Sequence, residues 1–252
     1  MTSQVSVVVP AYNEEQTIES VLRSLLRSIS DVHEIIVVDD GSEDKTAQLA
    51  QKCAHGEPRI RILRLAKNEG KTAALKHGFA ASTGDVVIVQ DADLEYDPRE
   101  IPGLVGPIAN GQADVVYGSR FLVRRAARVL YFRHYLANRL ITFLSDLLTD
   151  LNLTDVETGY KAFRGEIIRQ MVIESNRFGF EIEVTAKIAK LRCRVYEVPI
   201  SYHGRTYEEG KKIGFADGLA ALYYIVKYNL FCSRRAAFVQ IPEIRPIRKL
   251  TA

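Results

Sequence analysis

The chain has few cysteines, and their spacing excludes two classes of protein. Its 252 residues include only Cys53, Cys193 and Cys232. These three are odd in number, widely separated and without Cys-x-x-Cys spacing, so they predict neither a disulfide framework nor a zinc site. A reducing cytosol is the expected compartment.

Signals for secretion and for membrane insertion are also missing. Residues 1–4 carry no basic region ahead of an apolar core, so they do not resemble a secretory signal. The most apolar late stretch, residues 215–231, is interrupted by Asp217 and Lys227, and no run approaches the roughly 20 apolar residues that span a bilayer. We expect a cytoplasmic protein without a transmembrane segment.

Glycine-rich nucleotide-binding loops are absent as well. Gly70-Lys71-Thr72 opens a helical pattern, but a P-loop needs a glycine five residues earlier, where Leu65 stands. The segment from Pro10 to Glu14 has no glycine, although a dinucleotide-binding fold needs Gly-x-Gly-x-x-Gly after its first strand. The loop of sugar nucleotidyltransferases, rich in Gly, Arg and Lys, is missing at the same place. P-loop NTPases, Rossmann dehydrogenases and nucleotidyltransferases are therefore not favoured.

Charge is nearly balanced overall but uneven along the chain. The net charge is +3, with 47% hydrophobic and 26% charged residues, which is typical of a globular protein. No nucleic-acid partner is expected. Six arginines fall in one short segment, which favours a local anionic partner. They are Arg120, Arg124, Arg125, Arg128, Arg133 and Arg139.

Short β-branched runs alternate with helical patterns up to about Arg120, which predicts βαβ units and a mostly parallel sheet. Asn13 is the predicted N-cap of the first helix. Beyond Arg120 we expect helices over 128–149, 181–191 and 214–231 and a strand over 195–202. The predicted organisation is one domain over 1–232, with halves 1–120 and 121–232, followed by a basic tail over 233–252.

Acidic side chains follow three of the predicted strands. Asp91-Ala92-Asp93 ends the run 86–90, Asp39-Asp40 ends the run 35–38, and Glu14 follows the run 5–9. Ligands bind outside the carboxyl ends of strands in open α/β sheets, so these groups are expected along one edge. Two carboxylates one residue apart suit Mg²⁺ or Mn²⁺ bridging departing phosphates. A nucleotide diphosphate fits this edge, with Tyr12 packing on the base and Asp40 accepting from the base or ribose.

Five segments together resemble the inverting family-2 glycosyltransferases of GT-A fold, and most closely the dolichyl-phosphate mannosyltransferases and bacterial polyprenyl-phosphate glycosyltransferases. They are residues 5–14, 37–42, 68–71, 90–94 and 118–120, and the similarity extends through 155–161, 178–181 and 205–212. The resemblance implies an α/β GT-A fold and transfer of a hexose from a nucleotide sugar, of GDP-mannose or UDP-glucose type, to a polyprenyl or dolichyl phosphate.

The resemblance also implies roles for individual positions. Asp91 and Asp93 would surround Mg²⁺ or Mn²⁺, with Ala92 beside them, and Arg205 and Lys212 would close over the diphosphate. The implied nucleotide-binding positions are Pro10, Tyr12, Glu14, Asp40 and Lys67. Glu95 departs from the mannosyltransferases, which usually carry Gln there. The metal shell and the donor sugar are therefore less firmly implied.

The acceptor distinguishes two mechanisms. A phosphate monoester, with a second pKa of about 6, is largely ionised at neutral pH and needs cationic positioning, for which Arg120 is the first candidate and Arg133 the second. A hydroxyl acceptor on a saccharide, lipid or small metabolite would need a general base such as Asp155. The catalytic candidates are Asp93, Arg120, Arg133 and Asp155. A non-catalytic nucleotide-sugar-binding protein is the third class, for which damaged carboxylates would be expected.

The helices predicted over 128–149 and 214–231 have two interpretations. Their apolar faces either pack in the core or touch the membrane interface beside flanking basic residues. The second interpretation predicts peripheral contact with the inner face of a membrane or with a membrane partner. An oligomer is left open.

Overall fold

The order of the strands in the sheet determines where a ligand can bind. The computed structural model describes residues 3–29, 32–122, 131–176, 179–204 and 215–244. In this part of the chain the strands are β1 (Val5–Ala11), β2 (Val32–Asp39), β3 (Ile60–Arg64), β4 (Val86–Val89), β5 (Val115–Ser119), β6 (Lys161–Arg164) and β7 (Val195–Pro199). They form one seven-stranded sheet in the order β3-β2-β1-β4-β6-β5-β7.

Eight helices connect or follow these strands within the described residues. They are α1 (Ile18–Ser28), α2 (Thr46–Ala54), α3 (Lys71–Ala81), α4 (Ile101–Ala109), α5 (Phe132–Thr149), α6 (Gly165–Gln170), α7 (Phe180–Leu191) and α8 (Phe215–Leu230). A short 3₁₀ turn, Pro98–Glu100, precedes α4. The predicted α/β fold with a mostly parallel sheet is confirmed.

The central strands are apolar because helices cover both faces of the sheet. Val7 and Val9 of β1 pack with Leu22 of α1 and Leu104 of α4, whereas Val8 faces the opposite layer. That second layer contains side chains from α3, α7 and α8. It includes Leu75, Phe79, Phe180, Val184, Ile188 and Ile225. Continuous Val and Ile runs are expected for strands buried in this way.

β6 is the strand that the sequence pattern did not predict. It pairs antiparallel with both β4 and β5, while β5 pairs parallel with β7. Two antiparallel steps leave β5 pointing in the same direction as β4. The carboxyl ends of β1, β2, β4, β5 and β7 therefore share one edge with the beginning of β6. Chain order reverses between β1 and β4, and open α/β sheets bind ligands at such a point.

α5 exposes large apolar side chains and buries small polar ones, the opposite of an ordinary surface helix. Its buried residues are Thr142 and Ser145, whereas Phe143 and Leu147 are 61% and 68% exposed. Leu136 and Leu140 are exposed as well. Core packing, one of the two interpretations offered above, is therefore wrong for these four apolar positions. Among the described residues, no helix combines the length and the apolar character that crossing a bilayer requires.

The segment that follows α8 packs on the domain, although the predicted domain ends at residue 232 and a basic tail is predicted from residue 233. Ala237 and Phe238 are buried, and Phe238 forms a bridge with Met171 after α6. Val172 N–H donates to the Ala237 carbonyl at 3.0 Å, and Val239 N–H donates to the Gln170 carbonyl at 2.8 Å. These contacts attach the chain to the core up to at least Val239.

Candidate functional site

The turns after β1 and β2 are bonded to each other at the carboxyl edge. Asp40 N–H donates to the Ala11 carbonyl at 2.8 Å, and Asn13 N–H donates to Ser42 Oγ at 3.0 Å. Asn13 has a φ of 53° and accepts from Glu43 N–H at 3.0 Å. The prediction that Asn13 caps α1 is wrong, because its side chain connects two turns that are distant in sequence.

Three of the predicted nucleotide positions belong to the first turn. Pro10 is buried in β1, and Tyr12 and Glu14 are half-buried beyond its end. Glu14 N–H donates to Thr46 Oγ1 at 2.8 Å, and its carbonyl accepts from Ile18 N–H at 3.0 Å where α1 begins. Glu14 thus joins the end of β1 to the start of two helices.

Asp40 holds the loop that precedes α3. Its two carboxylate oxygens accept from Glu69 N–H and Gly70 N–H, each at 2.8 Å. Burial raises the pKa of Asp40, against the effect of these two hydrogen bonds. The residue is 2% exposed, so the structure places it beneath the loop. A direct contact between Asp40 and a base or ribose stays a prediction.

Gly41 lets that loop approach the end of β2. Its φ is +70°, and a Cβ there would come within 2.6 Å of the Lys67 backbone carbon. Next to this contact lies a surface cavity of about 630 Å³. It is lined by Gly41, Ser42, Glu43, Arg64, Leu65, Ala66, Lys67 and Asn68. The predicted nucleotide residue Lys67 is exposed on this cavity wall.

Asp91, at the end of β4, is bonded to a lysine from the start of α3. Lys71 Nζ lies 2.9 Å from Asp91 Oδ1 and 3.1 Å from Oδ2. The same nitrogen lies 3.6 Å from Glu181 Oε1 in the first turn of α7. Burial lowers the pKa of Lys71, but the charges of Asp91 and Glu181 outweigh burial and leave this pKa well above its usual value. Asp91 is therefore a carboxylate that already holds a cation.

The donor set around Asp91 and Asp93 fits a divalent cation that also binds phosphates. Both aspartates are half-buried, Ala92 between them is buried, and Asp93 Oδ1 accepts from Glu95 N–H at 3.1 Å. Within the described ranges, no cluster of three or more His, Cys, Asp or Glu side chains could hold a metal ion. Mg²⁺ is commonly bound by one or two carboxylates, with substrate phosphates and water completing its shell.

An aromatic cluster of Tyr96, Tyr160 and Tyr202 lies beside Asp91. The rings of Tyr96 and Tyr160 stack with centroids 4.7 Å apart, and the Tyr202 ring lies 5.3 Å from that of Tyr96. Tyr96 Oη accepts from Gly159 N–H at 2.9 Å. A Cβ on Gly159 would come within 2.7 Å of Asp91 Oδ2. The glycine therefore lets the aromatic cluster and the metal candidate Asp91 lie side by side.

Arg120 and Asp155, two catalytic candidates, form a buried ion pair. Arg120 Nε and Nη2 donate to the two carboxylate oxygens of Asp155, each at 2.7 Å, and Arg120 N–H donates to Oδ2 at 3.1 Å. The guanidinium carbon lies 5.1 Å from the centroid of the Tyr202 ring. Burial opposes the charge on Arg120, but Asp155 raises the pKa of the guanidinium well above its usual value.

The other arginine and lysine candidates are less closely placed. Arg133 is exposed in the first turn of α5. Arg139, further along α5, donates from Nη1 to the Thr154 carbonyl at 3.3 Å, next to Asp155. Arg205 and Lys212 lie outside the described residues.

Two charged groups beneath the edge were missed as site residues. Glu157 Oε1 is buried without a hydrogen-bond partner in the described part of the chain, and burial, aided by the charge of Glu181, raises the pKa of Glu157 to about 7. Lys161 is fully buried at the start of β6 and donates to the Val156 carbonyl at 3.0 Å. Burial lowers the pKa of Lys161 to about 8. Only the antiparallel strand β6, which the sequence pattern did not predict, would have placed these groups here.

Together, a parallel sheet with an inserted antiparallel strand and paired aspartates at the point where chain order reverses define a GT-A type α/β fold. Residues 6–172 match the family model described as glycosyl transferase family 2. The chain belongs to this family, and the resemblance stated above is confirmed.

The chain is also similar to glycosyltransferases with established names. The chain is 30% identical over 231 residues to dolichol-phosphate mannosyltransferase of Pyrococcus furiosus, covering 90% of this chain and 64% of that protein. It is 30% identical to undecaprenyl-phosphate mannosyltransferase of Micrococcus luteus, covering 87% of this chain and 91% of that protein. The chain thus spans less than two thirds of the archaeal relative and nearly all of the bacterial one.

A solved structure shares the fold. Glucosyl-3-phosphoglycerate synthase from Mycobacterium tuberculosis, in complex with Mn²⁺, UDP-glucose and phosphoglyceric acid, superposes with a TM-score of 0.69 at 25% identity. The superposition covers 90% of this chain and 79% of that one. The predicted GT-A architecture is confirmed by this likeness.

Proposed function

We propose that this chain transfers a hexose from a nucleotide sugar to a polyprenyl phosphate, with inversion at the anomeric carbon and with Mg²⁺ or Mn²⁺. Family membership supports glycosyl transfer. The names of the relatives from Pyrococcus furiosus and Micrococcus luteus support a polyprenyl-phosphate acceptor. The fold relative that binds Mn²⁺ and UDP-glucose supports the metal and the class of donor.

The donor is proposed to lie across the ends of β1, β2 and β4. Its base would enter near the cavity beside Lys67, with Pro10, Tyr12, Glu14 and Asp40 forming or supporting the walls of the nucleotide site. Its diphosphate would reach Asp91 and Asp93. When bound, a divalent cation would balance the charge that develops on the departing nucleoside diphosphate. Arg205 and Lys212 would add positive charge there, as the family resemblance implies.

The Arg120–Asp155 ion pair is the observation that carries the choice of acceptor. Both oxygens of Asp155 accept from the Arg120 guanidinium. A hydroxyl acceptor would have to compete with that guanidinium for its base. A phosphate would instead meet a pre-oriented cation, because the pair uses Nε and one Nη2 hydrogen and leaves the Nη1 side of the fork for an anion. The geometry favours phosphate.

With a phosphate acceptor, the main task of this chain is to position the phosphate against the anomeric carbon of the donor. A phosphate monoester is largely ionised at neutral pH and attacks without giving up a proton to a base. Arg120, fixed by Asp155, would orient the phosphate for in-line attack on the anomeric carbon, and Arg133 is the second candidate for this contact. Holding donor and acceptor in line removes much of the entropic barrier to their reaction.

The exposed apolar face of α5 and α8 supports contact with a membrane surface, where a polyprenyl phosphate resides. We define this apolar face by its exposed side chains. They are Leu136, Leu140, Phe143 and Leu147 of α5, Leu219, Tyr223, Val226 and Leu230 of α8, and Phe231 after it. Arg234 and Arg235 are exposed just beyond Phe231. An apolar surface flanked by cations is typical of helices that lie in a lipid interface.

A donor-by-acceptor matrix tests the proposed reaction. Purified protein with Mg²⁺ or Mn²⁺ is offered radiolabelled GDP-mannose and UDP-glucose, with polyprenyl phosphate or water-soluble acceptors. Label should enter the organic phase only with polyprenyl phosphate, and chelator or Asp91→Ala with Asp93→Ala should abolish the transfer. Label found only on water-soluble acceptors or in free sugar would overturn the proposed acceptor. Undiminished transfer by folded aspartate variants in chelator would overturn the proposed dependence on a metal bound by Asp91 and Asp93.

A further inference from the structure

Lys71 occupies the carboxylate that the proposed function assigns to the metal. Its ammonium is within hydrogen-bond distance of both oxygens of Asp91, at 2.9 and 3.1 Å. The side chains of Lys71 and Asp91 are 21% and 17% exposed. At such partial burial, water screens the charges incompletely, so a second cation approaching Asp91 is repelled by the first. A divalent ion must therefore displace the ammonium or share the carboxylate with it.

Glu181 offers the ammonium a second partner a short distance away. Its Oε1 lies 3.6 Å from Lys71 Nζ, and its side chain is 6% exposed. Its Oε2 is buried and has no hydrogen-bond partner among the described residues. A buried carboxylate oxygen without a donor is costly, and a hydrogen bond from an ammonium would relieve that cost. A small rotation of the lysine chain would therefore exchange one anion for the other.

The backbone around Lys71 is fixed, so only its side chain has to move. Gly70, with a φ of +92°, precedes α3, and its N–H donates to Asp40 Oδ2 at 2.8 Å. Glu69 N–H is held by the other oxygen of the same carboxylate. Asp40 thus anchors the loop at the predicted nucleotide site. Lys71, the residue after Gly70, reaches Asp91, the candidate metal ligand.

We propose that Lys71 is a positioning residue whose ammonium neutralises Asp91 in the metal-free protein and passes to Glu181 when a divalent cation binds. This inference rests on the proposed function, since it takes Asp91 as a metal ligand. Lys71 then weakens metal binding and Glu181 strengthens it. By linkage, the contact between Lys71 and Asp91 weakens metal binding by the same factor by which bound metal weakens that contact. Metal would bind weakly until the phosphates of the donor add their own charge.

The test is Mn²⁺ binding to the full chain, measured by titration calorimetry and by the electron paramagnetic resonance of free Mn²⁺, without nucleotide. Lys71→Gln should tighten Mn²⁺ binding by at least about fivefold, and Glu181→Gln should weaken it by a similar factor. Lys71→Arg, which keeps the charge, should stay close to the unmodified protein. Lys76→Gln is the matched control, because it removes the same charge from an exposed position of the same helix.

Wild-type protein supplies a second measurement that does not depend on how the variants fold. The ¹⁵Nζ resonance of Lys71, assigned by its absence in Lys71→Arg, should shift when Mg²⁺ is added and return when chelator removes it. An unchanged resonance at saturating Mg²⁺ overturns the exchange. An unchanged or weaker Mn²⁺ affinity in folded Lys71→Gln does so too, as does an undiminished affinity in folded Glu181→Gln.

A parallel titration in the presence of GDP or UDP separates the inference from the proposed function. If Asp91→Asn abolishes Mn²⁺ binding while Lys71→Gln leaves it unchanged, the metal site stands and only the role of Lys71 falls. If unmodified protein binds no Mn²⁺ even with a nucleoside diphosphate, the metal of the proposed function falls and takes this inference with it.

Discussion

Arg120 and Asp155 form a two-point ion pair behind the carboxyl edge of the sheet, although 35 residues separate them in sequence. Asp155 is fully buried and the Arg120 side chain is 12% exposed. Glu197 of β7 holds the backbone on the other side, where it accepts from Thr154 N–H at 2.9 Å and from Asp155 N–H at 3.3 Å. The pair is therefore fixed by β5, by the segment before β6 and by β7 at once.

Breaking this pair should affect both stability and transfer. Removing one partner of a buried ion pair leaves a buried charge, so Arg120→Met and Asp155→Asn should each lower the free energy of unfolding by about 3 kcal/mol. The double variant should lose less than the sum of the two. Urea denaturation measures these differences. Arg99→Met breaks the exposed Asp97–Arg99 pair and should lower the free energy of unfolding far less than either of these variants.

The same variants discriminate between the two acceptor mechanisms. Under the phosphate mechanism, transfer to polyprenyl phosphate should fall strongly in Arg120→Met, because the acceptor loses its cation. Asp155→Asn should retain more activity if the protein is folded, since the guanidinium remains. Loss of turnover in Asp155→Asn with little effect of Arg120→Met would instead support a hydroxyl acceptor with Asp155 as its base.

Glu157 predicts a specific pH dependence of stability. Because burial raises its pKa to about 7 in the folded protein, above the value of about 4.3 expected in the unfolded chain, the folded state binds the proton more tightly. The stability this contributes is fully present below about pH 4 and is lost as pH rises through 7. Glu157→Gln, a neutral mimic, should therefore gain stability relative to the unmodified protein between pH 5 and 8.

Equilibrium denaturation of both proteins across that pH range measures the effect. Glu174→Gln removes an exposed carboxylate and serves as the control for loss of charge alone. A stability difference between Glu157→Gln and the unmodified protein that stays constant from pH 5 to 8 would contradict the prediction.

The parallel half of the fold could be predicted because its signals are local. The runs 5–9, 35–38 and 86–90 each predict a strand from a few neighbouring residues, and the structure has β1, β2 and β4 at these places. β6 was missed because Lys161–Arg164 has charged ends and only two apolar residues. Its place in the sheet depends on pairing with β4 and β5, which no local pattern reveals.

The candidate site, like the fold, has some features that local sequence predicts and others that depend on tertiary contacts. The sequence placed Asp91 and Asp93 at a strand end, and the structure has them there. It offered Arg120 and Asp155 as separate candidates, yet they are partners, because only the tertiary fold brings β5 beside the segment before β6. In the sequence, Lys71 stands out only as part of a phosphate-loop-like segment and of the family resemblance. Its contact with Asp91 crosses 20 residues and has no signature in sequence.

Gly159 should be sensitive to the smallest possible enlargement. In Gly159→Ala the new Cβ would come within 2.7 Å of Asp91 Oδ2 and 3.1 Å of Tyr96 Cε2, so Asp91 has to move. We expect Mn²⁺ affinity and transfer to fall by about tenfold or more, as misplacement by an ångström can cost that much and beyond. Gly103→Ala is the control, since no atom lies within 4 Å of the position that its new Cβ would take in α4. Equal effects of the two variants would contradict the prediction.

The apolar face of α5 and α8 should bind a lipid surface. Phe143 and Leu147 are 61% and 68% exposed, so replacing both by Ser removes little packing and should change the free energy of unfolding by less than about 1 kcal/mol. In a membrane interface, by contrast, each side chain would bury apolar area, and losing both should weaken liposome binding by about tenfold or more. Flotation with anionic liposomes at several salt concentrations measures this binding. Tyr196→Ser removes an exposed aromatic ring from edge strand β7 and should leave flotation unchanged. If unmodified protein stays wholly in the soluble fraction at every salt concentration, the apolar face does not bind lipid.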